Sequence, residues 1–117
     1  MKVVFYLKSC NTCTRIIKEL KLDSSFTFRE IKSKPLTIME IEMIHDLSKN
    51  YECIFNKRAK LFSEKNLKGV ALTELEYKNF ILENYTFLKR PVIITGEKIF
   101  IGNSKENILE LKKHLGE

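Results

Sequence analysis

The sequence predicts an α/β fold: a mixed, four-stranded sheet flanked by helices, with a helical insertion between its two halves. Three observations carry that prediction. The apolar run Val3-Val4-Phe5-Tyr6-Leu7 is followed by Ile16, Ile17 and Leu20 at helical spacing, and then by Phe26-Thr27-Phe28-Arg29-Glu30-Ile31, which alternates with period two. Near the other end, Pro91-Val92-Ile93-Ile94-Thr95 and Lys98-Ile99-Phe100-Ile101 are separated only by Gly96-Glu97, a hairpin signal. Between the halves, Thr37 with Glu40 and Thr73 with Glu76 form two capping boxes that open helices. A β-α-β unit needs a right-handed crossover and therefore a parallel pair. The hairpin is antiparallel, so the sheet must be mixed.

Residues 2–7 read as the first strand and 11–21 as a helix, ended near Asp23-Ser24-Ser25. Residues 26–31 form the second strand. Lys34-Pro35-Leu36-Thr37 opens a helix whose face Ile38, Ile41, Ile44 and Leu47 is expected to enter the core, and which ends near Ser48-Lys49-Asn50. Residues 51–68 read as irregular or short-helical, anchored by Ile54-Phe55 and Leu61-Phe62, and Gly69 punctuates the chain. The helix from Thr73 runs to about Asn84, with Leu75, Phe80 and Ile81 among its apolar positions. After the hairpin, Ser104-Lys105-Glu106-Asn107 opens a last helix carrying Ile108, Leu109, Leu111 and Leu115. This order, β-α-β, helices, β-β-α, is the thioredoxin-like plan. No repeat or Pro/Gly-rich linker interrupts it, so residues 1–117 are expected to be a single domain.

Composition narrows the functional classes. The chain is 44% hydrophobic and 31% charged, as in globular proteins that bury a core. No apolar run approaches the ~20 residues needed to span a bilayer, and Met1-Lys2-Val3-Val4-Phe5 resembles no signal peptide. Three cysteines, an odd number, argue against a secreted disulfide framework. A cytoplasmic, monomeric protein without a membrane partner is expected. The net charge of +6 comes from lysines scattered among glutamates, a solvated-surface pattern with no direct nucleic-acid role. It favours anionic substrates or acidic partners in general.

The chemistry centres on Cys10-Asn11-Thr12-Cys13. This Cys-x-x-Cys unit lies at a strand-to-helix junction, where unpaired N–H groups and the helix dipole favour a thiolate. At i and i+3 the sulfurs can close a disulfide, Cys10 attacking and Cys13 resolving. A structural pair or half of a zinc site is the alternative. Only Cys53, His45 and His114 remain as further soft ligands, and none is paired at ligand spacing. In thioredoxin-like folds a cis proline packs beside the reactive cysteine. Pro91 holds that place, and Arg90 before it would set a guanidinium over the thiolate or on a bound oxyanion. Arg58 is a further basic candidate, and Arg15 is ambiguous. His45, His114 and Cys53 read as structural. No phosphate loop or dinucleotide fingerprint is present, so no organic cofactor is expected.

Tyr6-Leu7-Lys8-Ser9-Cys10-Asn11-Thr12-Cys13, Ser33-Lys34-Pro35-Leu36-Thr37, Lys57-Arg58-Ala59-Lys60-Leu61-Phe62, Leu88-Lys89-Arg90-Pro91-Val92-Ile93 and Ile101-Gly102-Asn103 occur in one order. On these segments the chain resembles the ArsC/Spx family of arsenate reductase-like proteins, a resemblance that covers nearly the whole chain, from Val3 to Leu115. The resemblance implies a thiol-dependent oxidoreductase in which Cys10 is the nucleophile and Arg58 and Arg90 match two oxyanion-stabilising arginines. Asn103 falls where that pattern has a third arginine, and Tyr6 where it tends to have histidine. The external reductant implied is glutathione with glutaredoxin, or thioredoxin. The Cys-x-x-Cys form is shared with the Spx branch, redox-sensing regulators that bind the RNA polymerase α subunit. Arg90 is similar to the arginine that reads the oxidation state there, while Asn50 lies where that branch has a contact glycine.

Overall fold

A computed structural model of the chain describes residues 1–116. In chain order it contains β1 (Lys2–Tyr6), α1 (Asn11–Glu19), β2 (Thr27–Glu30), α2 (Ile38–Ser48), α3 (Lys60–Glu64), α4 (Glu74–Glu83), β3 (Val92–Thr95), β4 (Lys98–Ile101) and α5 (Lys105–His114), with short 3-10 turns at Glu52–Ile54 and Tyr85–Phe87. The elements fall into two compact units. One holds Met1–Lys34 and the residues from Arg90 onward, and the other holds Pro35–Lys89.

The first unit is built on a sheet of order β2-β1-β3-β4. β1 pairs parallel with β2 and antiparallel with β3, and β3 pairs antiparallel with β4. The mixed sheet follows from the connections, since a helix returns the chain to a parallel neighbour and a two-residue turn to an antiparallel one. Thr95 and Lys98 are paired across that turn, in which Gly96 has φ +66°, a conformation costly for a residue with a Cβ. One sheet face is covered by α1 and α5: Val4, Ile93 and Phe100 meet Ile16, Leu20 and Leu111 in a closed apolar cluster. α5 is capped by Ser104, whose hydroxyl accepts from the Asn107 N–H at 3.2 Å.

The second unit is helical. Both expected capping boxes form: Thr37 with Glu40 opens α2, and Thr73 with Glu76 opens α4. Its core is the ring of Phe55, 1% exposed, in contact with Phe62, Tyr77, Phe80 and Phe87. The chain on either side is tied by an N–H of Asn56 to the Phe87 carbonyl at 2.7 Å and an N–H of Lys89 to the Ile54 carbonyl at 2.9 Å. Lys78 of α4 reaches Glu42 of α2 at 3.4 Å. The expected apolar faces are narrower than their periodicity suggests. Ile41 and Ile44 are buried in α2, but Ile38 at its first position is 59% exposed; in α4, Tyr77 and Ile81 are buried and Leu75 is 64% exposed. Leu109 of α5 likewise faces solvent, while Leu111 is buried. Among the described residues no helix is long and apolar enough to cross a membrane.

Candidate thiol site

The sheet unit delivers the Cys-x-x-Cys pair through a tight turn. β1 ends at Tyr6, the Cys10 N–H donates to the Leu7 carbonyl at 3.0 Å, and the Thr14 N–H donates to the Cys10 carbonyl at 3.2 Å. Cys10 is therefore the N-cap of α1, with φ −89° and ψ 106°. A serine or threonine there would close its own side chain onto the helix. The cysteine instead presents sulfur to the unpaired donors of the first turn. Asn11 and Thr12 are the first two residues of α1, Asn11 exposed and Thr12 half-buried, and the Thr14 hydroxyl donates to the Asn11 carbonyl at 3.0 Å.

The two thiols have opposite surroundings. Cys10 is half-buried and Cys13 is fully buried, both as free thiols. Partial burial opposes ionisation of Cys10, but the Cys13 backbone N–H, the Cys13 thiol and the Arg90 guanidinium together outweigh it and hold the Cys10 pKa below its usual value. Burial dominates at Cys13. A hydrogen bond from the Leu7 backbone and the charge of Arg90 work against it, yet with the nearby charge of Cys10 the pKa is pushed up to about 12. Arg90 enters the site from the start of the segment leading into β3, and the Arg90–Pro91 peptide bond is cis. The Gly102 N–H donates to the Pro91 carbonyl at 2.8 Å and fixes that turn.

The structure thus brings Cys10, Cys13 and Arg90 together within the sheet unit, next to Pro91. Arg58 belongs to the helical unit, exposed in the turn before α3, its N–H donating to the Asn56 side-chain carbonyl at 3.1 Å. Asn103 is exposed in the loop between β4 and α5. Cys53 is half-buried, its sulfur 3.3 Å from the Asn50 carbonyl, so it is less enclosed than a small core residue. His45 stacks on Tyr51 with ring centroids 4.2 Å apart, and His114 packs near Phe100. Among the described residues no three His, Cys, Asp or Glu side chains gather as a metal site would require.

One residue of the site is not evident from the motif. Glu30, the last residue of β2, accepts at Oε2 from the Lys8 N–H at 3.0 Å. At Oε1 it accepts from the Lys32 and Ser33 N–H groups at 3.0 and 2.7 Å and from the Ser33 hydroxyl at 2.8 Å. These donors, the Ser33 N–H first and the Lys8 N–H next, push its carboxyl pKa down to about 2. Glu30 so anchors the loop that carries Cys10. The only hint in the sequence is an acid closing a strand three residues before a serine.

Comparison with known proteins places these features in a family. A model described as the ArsC family matches residues 5–111. The global transcriptional regulator Spx of Streptococcus pneumoniae is 28% identical over 110 residues, covering 92% of this chain and 83% of its own length. Spx 2 of Bacillus anthracis is 27% identical over 112 residues, covering 92% and 84%. Among solved structures, an ArsC family related protein from Bacteroides fragilis superposes with a TM-score of 0.77 at 24% identity, covering 94% of this chain and 96% of that one. Arsenate reductase from Vibrio cholerae superposes with a TM-score of 0.73 at 16% identity, covering 93% and 95%. At these identities the superpositions speak for the fold, which is that of the arsenate reductase-like, thioredoxin-type proteins.

Proposed function

This chain belongs to the ArsC family, and from its thiol site we propose that it is a thiol–disulfide oxidoreductase with Cys10 as nucleophile and Cys13 as resolving thiol. The observation that carries the reading is the asymmetry of the pair: a half-buried Cys10 favoured as thiolate beside a buried Cys13 held as thiol. In the first step the Cys10 thiolate attacks one sulfur of a disulfide. A bond forms from Cys10 Sγ, the old S–S bond breaks, and the departing sulfur leaves with the electron pair and takes a proton from solvent. Cys13 then loses its proton to solvent and attacks Cys10 Sγ. The substrate's second sulfur leaves as a thiol and the Cys10–Cys13 disulfide remains. Two electrons have passed from the pair to the substrate. An external thiol, glutathione with glutaredoxin or thioredoxin, returns them.

The order of steps has an electrostatic basis. Besides burial, the charge of Cys10 keeps Cys13 protonated, and that charge vanishes when Cys10 enters a mixed disulfide. Arg90 serves the first step by favouring the thiolate. A stabilising role for Arg58 rests on the family resemblance; Arg58→Ala should slow turnover, and unchanged turnover would remove Arg58 from the mechanism.

Turnover with a small disulfide and a thiol reductant tests the reading. Cys10→Ser should abolish turnover, and Cys13→Ala should stop the wild-type loss of two hydrogens on oxidation seen by intact-mass measurement. Undiminished turnover in Cys10→Ser would sink the assignment. A second reading is favoured by the curated relatives, which are global transcriptional regulators: the same pair as a redox switch that binds the C-terminal domain of the RNA polymerase α subunit. That reading requires binding to the purified domain to change on oxidation, with the change lost in Cys13→Ala.

A further inference from the structure

The sheet unit carries an open groove of about 850 Å³ between α1 and the outer strand β2. Its floor is apolar: Tyr6 and Phe28 meet edge to face with centroids 6.1 Å apart, Ile17 lies beside them, and Phe28 is left 39% exposed. Its rim is cationic, with Lys8, Arg15, Lys18 and Lys21. Arg15 is paired with Glu19 at 3.4 Å, whereas Lys8, Lys18 and Lys21 have no ion-pair partner among the described residues. The one acid in the lining, Asp23, is already engaged by the backbone N–H and hydroxyl of Ser25. Lys8 and Asn11 line the groove and flank the Cys10 turn in the chain, so it begins where the thiol is presented.

These properties select an occupant. A tetrahedral oxyanion would fill a small part of a groove whose volume lies in the ~300–1,000 Å³ range of sites for much larger ligands. Exposed aromatic edges at the bottom call for an apolar or aromatic side chain, and lysines without partners call for carboxylates. We propose that this groove seats the protein partner of the thiol, an acidic peptide segment that carries an aromatic anchor and lies next to the cysteine or disulfide exchanging with Cys10. The seating is noncovalent and precedes the exchange. It rests on the thiol–disulfide reading only for the identity of the reacting atom.

The test uses the full chain carrying Cys10→Ser, so that binding alone is read, and fluorescein-labelled synthetic peptides of equal length. One is Glu/Asp-rich with a single tryptophan, one has its acids replaced by lysine, and one has its tryptophan replaced by serine. Fluorescence anisotropy should show the acidic tryptophan peptide binding and both altered peptides failing to bind at the same concentrations. Lys18→Glu with Lys21→Glu should weaken binding about tenfold, and Phe28→Ser should weaken it at low and physiological salt alike. If thermal melts show that charge reversal unfolds the chain, Lys18→Gln with Lys21→Gln replaces it, and weakening there supports the groove equally. Equal binding of the lysine peptide, indifference to the lysine substitutions, or a single-stranded oligonucleotide binding as tightly with the same dependence on Phe28 would each overturn the proposal. Reaction of the wild-type chain with neutral bis(2-hydroxyethyl) disulfide reports separately on the thiol. If that fails while peptide binding behaves as expected, the groove stands as a docking site and the exchange reading falls.

Discussion

Replacing Glu30 by glutamine keeps the side chain's length and removes its charge, at a point where four donors converge. Glutamine has one acceptor oxygen. If that oxygen keeps the Lys32 and Ser33 bonds, the amide NH2 faces the Lys8 N–H, and the loop before Cys10 loses its anchor. The carboxyl pKa lies at about 2, against 4.5 for an ordinary glutamate, because the Ser33 and Lys8 N–H groups bond the charged form. At about 1.4 kcal/mol per unit the gap corresponds to roughly 3 kcal/mol. Glu30 is partly exposed, and solvent screening reduces the contribution to about 1–2 kcal/mol. Because the folded value lies below the unfolded one, this stability is complete above 4.5 and is lost as pH falls toward 2. The assay is urea unfolding followed by far-UV circular dichroism, since the chain contains no tryptophan. Near neutral pH, Glu30→Gln should be less stable by about 1–2 kcal/mol, and the difference should shrink toward zero near pH 2. The other carboxylates titrate in both proteins and cancel. A stability gap that stays constant from neutral pH down to acid would refute the reasoning, because the charge would then not be what holds the loop.

Two further outcomes follow from the same geometry. Arg90→Met should move the pH midpoint of Cys10 alkylation by iodoacetamide upward, and Arg90→Lys, which keeps the charge but not the fork of donors, should fall between; an unmoved midpoint in Arg90→Met would remove the arginine from the account. Phe55→Ala opens a cavity among four rings of the helical unit and should cost about 3–5 kcal/mol in urea unfolding, with a loss below about 1 kcal/mol meaning that the rings close over the gap.

What was legible in the sequence was local. The capping boxes at Thr37 and Thr73, the Gly96-Glu97 turn and the strand-to-helix junction that holds Cys10 each depend on residues close together in the chain, and each forms as read. Helical periodicity found the right helices but overestimated their buried faces. Ile38 and Leu75 stand at the first turns of α2 and α4, where a stripe can run past the core it packs on. Arg90 is distant in sequence from Cys10, and the topology of the fold, rather than spacing, pointed to it. Glu30 escaped because its role is tertiary: the bond to Lys8 joins residues 22 positions apart, and nothing near Glu30 marks it as part of a thiol site.

The charge of the sheet unit also bears on which electrophile Cys10, as the proposed nucleophile, would meet. A thiolate attacking an arsenate-like dianion brings negative charges together, and the attack needs several converging cations to offset the repulsion. Within this unit Arg90 supplies a guanidinium to the thiol, and Asn103, where the reductase pattern has a third arginine, is neutral and exposed. A disulfide is uncharged, so its attack asks only that the thiolate be available and that a second thiol stand ready. Arg90 and the Cys13 N–H meet the first requirement, and the buried Cys13 meets the second. Lys8, Lys18 and Lys21 of the same unit line the groove beside α1, where on the proposed docking they attract carboxylates of a partner. On the proposed exchange, charge near the thiol serves to ionise sulfur, and charge away from it to choose whose sulfur arrives.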